Sequence, residues 1–130
     1  MQKCKYLDDL GLKIENYGTN FCEDDDSRSM KWDKEREEYG FDERETWNLD
    51  RTFIEWIYTR VKMYQEINGV DTNFYRFVYN GEELTQEQMM DRILCLAQDI
   101  LLENVDDNKI PEIMKEICDI WKEILPCMWW

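Results

Sequence analysis

Histidine is absent from this 130-residue chain, and there are only two prolines and five glycines. Without histidine there can be no Ser-His-Asp or Cys-His catalysis, no HExxH zinc site and no imidazole acid–base chemistry. Glycine-rich phosphate cradles are missing too: neither GxGxxG nor GxxxxGK[ST] occurs. No stretch of about 18 apolar residues is present, which excludes a transmembrane helix. Residues 1–20 hold no apolar run of signal-peptide length and turn acidic by Asp8. The expected location is therefore the cytoplasm, and no cofactor is implied.

Cationic charge is also scarce. Thirty acids stand against 16 bases, for a formal charge of −14. Nucleic acids are bound by neutralising phosphates with Lys and Arg, so direct nucleic-acid binding is disfavoured, as are anionic membranes. Five cysteines, at positions 4, 22, 95, 118 and 127, are odd in number and form no CxxC. A disulfide framework is not expected, and reduced thiols fit a cytosolic chain. Cys95 and Cys118 lie within apolar helical patterns, where cysteine acts as a small hydrophobe; the competing redox or metal role wants clustered thiolates.

With 43% hydrophobic and 14% aromatic residues, a packed core remains within reach. The length suits one domain, 1–130, in which an acidic, less regular part (1–46) precedes a helical core (47–130). The expected fold is mainly α: three major helices, a small β-hairpin and a partly irregular N-terminal region. The first helix follows Asn48, an N-cap residue, with apolar positions Leu49, Phe53, Trp56/Ile57, Val61, Tyr64 and Ile67, and stops at Asn68-Gly69. The second runs over 86–103 after the capping-box pair Thr85 and Gln88, with Met89/Met90, Ile93/Leu94, Leu96/Ala97 and Ile100/Leu101 on its face. The third opens near Pro111 and ends before Pro126, carrying Ile113/Met114, Ile117, Ile120/Trp121 and Ile124/Leu125. Between the first two, residues 73–84 have strand chemistry around the turn Asn80-Gly81.

Residues 23–46 concentrate the charge: eleven acids face five bases, a balance of −6. A short helix is expected around 29–38, within a mostly irregular, solvent-facing stretch. Three features could carry function. Carboxylates one turn apart can hold magnesium, and Glu82, Glu83 and Glu87 with Glu103 and Asp106 approach the pattern of helical nucleotide pyrophosphohydrolases. The first group is one residue too long for that pattern, however, and the second lies at a helix end. Asp24, Asp25 and Asp26 with Asp33 and Glu35 lack the alternating ligands and glycine of a calcium loop. Trp47, Trp56 and Trp121 fit apolar stripes and read as core. The terminal Trp129 and Trp130 are either tucked against the fold or form a contact with a partner or a second copy.

The stretch GFDERETWNLD (40–50), the helix after it, NGEEL (80–84) and the final Met-Trp-Trp resemble small uncharacterised proteins of tailed phages and prophages of gut bacteria. The resemblance implies a phage origin and transfers no catalytic residue. Together with the acidity, it leads to a non-enzymatic binding protein that inhibits a host defence enzyme, of the anti-CRISPR or anti-restriction type, by imitating nucleic acid. The expected partner is a host protein with a basic, nucleic-acid-binding surface. The residues expected to meet it are Asp24, Asp25, Asp26, Trp32, Glu35, Glu37, Glu38, Asp42, Glu43, Glu45, Trp129 and Trp130. The alternatives are the metal-dependent hydrolase and a phage structural or accessory protein that self-assembles.

Overall fold

The computed structural model describes residues 4–12, 27–68 and 75–128, and the chain is mainly helical. Its elements are α1 (Lys5–Asp9), α2 (Ser29–Tyr39), α3 (Arg44–Trp47), α4 (Leu49–Asn68), β1 (Arg76–Tyr79), β2 (Glu82–Thr85), α5 (Gln86–Leu101) and α6 (Ile110–Ile124). Short 3₁₀ turns at Asp107–Lys109 and Leu125–Cys127 flank α6. The chain divides into two compact units, Met1–Trp56 and Ile57–Trp130, with the division inside α4.

In the C-terminal unit the sequence pattern translates directly. Thr85 and Gln88 close a reciprocal capping box: the Gln88 N–H donates to Thr85 Oγ1 at 3.1 Å, and the Thr85 N–H donates to Gln88 Oε1 at 2.9 Å. The helix they start buries Met89, Met90, Ile93, Leu94, Leu96, Ala97 and Leu101, as its apolar rows require. It ends two residues before the expected 103. Glu103 takes a left-handed conformation (φ 57°), and the Asn104 N–H reaches back to the Asp99 carbonyl at 2.9 Å. That is a Schellman-type stop with glutamate where glycine is usual. In α6, which opens with Pro111 in its first turn, Ile117, Ile120 and Ile124 are buried, whereas Ile113, Met114 and Trp121 of the expected row are half-buried and Leu125 is exposed in the 3₁₀ turn that follows.

The hairpin pairs Tyr79 with Glu82 and Phe77 with Leu84, and Asn80 and Gly81 both have positive φ, as a type I′ turn needs. Two strands are not stable by themselves. This pair gains a polar neighbour, because Glu116 of α6 acts on the half-buried Tyr79 phenol. Glu116 in turn accepts from Arg92 of α5 at 2.9 and 3.0 Å. Burial first, and the Glu116 carboxylate second, push the Tyr79 phenol up to about 12 from 10.0. A raised folded pKa favours the neutral phenol, so its stabilising contribution holds below pH 10 and is lost as pH rises through about 12. A spectrophotometric titration compared with that of Tyr79→Phe should therefore assign Tyr79 a late transition near pH 12, which Glu116→Gln moves back toward 10.

Three expectations are corrected. Helix α4 begins after Asn48, whose carbonyl accepts from the Thr52 N–H at 2.9 Å, as an N-cap's should. Its buried row is nevertheless Ile54, Ile57, Tyr58 and Val61, while Leu49, Trp56 and Ile67 are exposed. Ile57 and Val61 of the expected row are kept, and Ile54 and Tyr58, each one step of about 100° on from Phe53 and Ile57, join them in place of Leu49, Trp56 and Ile67. Glu55 is buried as well and is paired with Arg51 one turn earlier, at 3.0 Å. Trp47 and Trp56, expected in the core, are 42% and 41% exposed. Cys95 and Cys118 are likewise exposed free thiols, because each sits one position off its helix's buried row. Gly69 and Cys22 lie outside the described residues.

Candidate functional site

The acidic segment is more ordered than its composition suggests. Over residues 27–47, α2 matches the expected short helix, and α3 folds back beside it where irregular chain was expected. Gly40 makes the reversal possible. It caps α2 with φ 86°, and its N–H donates to the Arg36 carbonyl at 2.9 Å. That is a backbone conformation side-chain-bearing residues avoid.

Two residues on, Asp42 turns inward. Its side chain is fully buried and accepts from the Arg44 backbone N–H (3.0 Å), Arg44 Nε (3.0 Å) and Arg44 Nη2 (2.8 Å). Arg36 Nε lies 2.7 Å from the same carboxylate. Burial alone would raise this carboxyl's pKa. The bonds from Arg44 and the charges of Arg36 and Arg44 outweigh it and hold the group below the ordinary 3.8.

Glu43 forms the second half of the clasp. Its Oε1 accepts from the Trp32 indole N–H and from Lys31 Nζ, both at 3.0 Å, while its backbone N–H donates to Glu35 Oε2 at 3.0 Å. The indole bond first, and Lys31 second, hold Glu43 below 4.5. Trp32 is 2% exposed, with Arg44 4.3 Å and Arg28 4.9 Å from its ring centre. Trp47 meets it edge-on at 6.0 Å. The stretch FDERETW is thus a structural clasp around one buried indole.

This placement sorts the expected contact residues. Trp32 and Asp42 are corrected from surface to interior, because their polar atoms are taken up by Glu43, Arg36 and Arg44. Glu35 and Glu43 are part-buried and internally bonded. Glu37 and Glu38 remain exposed on α2, as does Asp33, and Glu45 is half-buried in α3. Asp24, Asp25, Asp26, Trp129 and Trp130 lie outside the described residues. From Ser27 to Thr46 seven acids face five bases, a balance of only −2; the rest of the −6 comes from Glu23 to Asp26.

Sequence reasoning missed one surface feature. Tyr39 and Phe41, on either side of Gly40, are 63% and 47% exposed, with ring centres 6.4 Å apart. An aromatic on each side of a glycine in a charged stretch is the signal that could have revealed them.

The carboxylates weighed for a metal are not brought together. Glu82 and Glu83 sit on β2 and Glu87 starts α5, while Glu103 and Asp106 follow its other end. Sixteen helical residues put about 24 Å between those ends. Among the described residues, no group of three or more His, Cys, Asp or Glu side chains could hold a metal ion. No described helix is long and apolar enough to cross a membrane. No protein-family model, no curated protein and no solved structure matches this chain.

Proposed function

We propose that this chain is a binding protein that occupies a basic, nucleic-acid-binding surface of another protein and blocks it, as a phage-encoded inhibitor of a host defence enzyme would. The observation that supports this reading is the division of charge on α2. Lys31, Glu35 and Arg36 are committed to the clasp, while Asp33, Glu37 and Glu38 stay exposed against one exposed base, Lys34, in a chain of net charge −14. Fixed carboxylates on a folded helix meet a basic channel without having to be ordered first, and complementary charge speeds the encounter.

The test is an affinity pull-down from a bacterial lysate with and without nuclease, followed by binding measurements on the captured protein. A nucleic-acid-binding protein should persist after nuclease treatment. The variant Asp33→Lys/Glu37→Lys/Glu38→Lys should then bind it at least tenfold more weakly with an unchanged melting temperature. Reversing Asp24, Asp25 and Asp26 to lysine should add to that loss. Charge-reversed chains that bind and inhibit like the native one would show that charge imitation is not the mechanism. Recovery of the chain alone would favour self-assembly.

A further inference from the structure

We propose that the Tyr39–Phe41 pair anchors this docking surface, and that it takes an arginine side chain of the basic protein partner. The inference rests on the binding reading above and adds the chemistry of its central contact. Exposed aromatics are common, but this pair is held in place from both sides. Before Phe41, Gly40 donates its N–H to Arg36 at 2.9 Å; after Phe41, Asp42 is buried and gripped by Arg36 and Arg44. The rings are thus presented on a turn whose backbone cannot relax without breaking a buried ion cluster. Rigid, preformed aromatics are what binding hot spots use, since little freedom is lost on contact.

The partner's chemistry follows from the surroundings. Aromatic faces carry negative charge density, and Glu37 and Glu38, which directly precede Tyr39 in the last turn of α2, are exposed carboxylates. A planar, weakly hydrated guanidinium satisfies both; an ammonium answers mainly the charge, and an aliphatic side chain only the rings. The same pairing is already made within this unit, where Arg44 stacks 4.3 Å from the centre of Trp32.

The experiment is a nitrogen-15 NMR titration of the full chain at low salt with three short peptides, Ac-GRGRG-NH₂, Ac-GKGKG-NH₂ and Ac-GLGLG-NH₂. The arginine peptide should shift the amides of Tyr39, Gly40 and Phe41 and bind at least threefold tighter than the lysine peptide. In Tyr39→Ala/Phe41→Ala, which keeps every bond to Asp42, that preference should vanish while the melting temperature holds. Equal arginine and lysine binding overturns the anchor, as does equal or tighter leucine binding or an undiminished preference in the double variant. Shifts of the same amides with protein concentration alone would overturn it in favour of a second copy of the chain. Equal binding of both cationic peptides, abolished by Glu37→Lys/Glu38→Lys, would sink the anchor and leave the docking reading standing. If neither cationic peptide binds, the anchor fails, and the pull-down with the charge-reversed chain decides the docking reading separately.

Discussion

Asp42→Ala should destabilise the N-terminal unit by about 3–5 kcal/mol, the usual cost of removing one partner from a buried ion cluster. The carboxylate is fully buried, and the guanidiniums it neutralises are 13% (Arg44) and 27% (Arg36) exposed at the side chain. Alanine leaves both charges facing a void and also strips the Arg44 backbone N–H of its acceptor. Urea denaturation followed by tryptophan fluorescence measures the loss. Asp33→Ala, on the exposed side of α2, should stay within about 0.5 kcal/mol of native. Equal midpoints for the two variants would show that the cluster contributes nothing net. The sign of the acid response follows from the same geometry. Asp42 and Glu43 both titrate below their ordinary values of 3.8 and 4.5 when folded. Their contribution is present above those values and is lost as pH falls through the lower, folded ones. Asp42→Asn should therefore lose much of the unit's acid sensitivity along with its stability.

Trp32→Ala should cost a similar amount, about 3–5 kcal/mol, as large-to-small changes at buried aromatics do. It removes a fully packed indole, the donor to Glu43 and the ring under Arg28 and Arg44. Trp47→Ala, by contrast, gives up an edge-on contact and an exposed ring, about 1 kcal/mol. Thermal melts of the two variants distinguish them clearly, and a larger effect at Trp47 would overturn the assignment of the core tryptophan. The losses at Trp32 and Asp42 should not add, because Arg44 serves both.

The clasp also changes what the charge of this segment means. Lys31, Arg36 and Arg44 neutralise Glu35, Glu43 and Asp42 within the unit, so those acids hold the fold and are not available as a phosphate-like array. Imitation of a nucleic acid then depends on fewer carboxylates: Asp33, Glu37 and Glu38 on α2, with the run before Ser27. That narrower set makes the docking reading testable with three substitutions that leave the clasp intact.

Local rules in the sequence were enough for the elements built on them. Thr85 and Gln88 define where α5 starts, Asn80-Gly81 defines the hairpin, and the apolar rows of α5 and α6 define their buried faces, because each signal acts within a few residues. The acidity of 23–46, its helix and the scarcity of cationic surface were legible in the same way. Only the tertiary structure decided which tryptophan is core. Trp32 sits in a charged helix with no apolar row to mark it, and its burial depends on Arg28, Glu43 and Arg44, up to twelve residues away. It also decided which of two adjacent apolar positions faces inward along α4, a choice the 100° step of a helix leaves open until a neighbour packs. Finally, it decided that Asp42 and Glu43 turn inward while Tyr39 and Phe41 face out. Composition ranks those residues the other way, but two guanidiniums, brought to Asp42 from α2 and α3, supply the partners without which that carboxylate could not be buried.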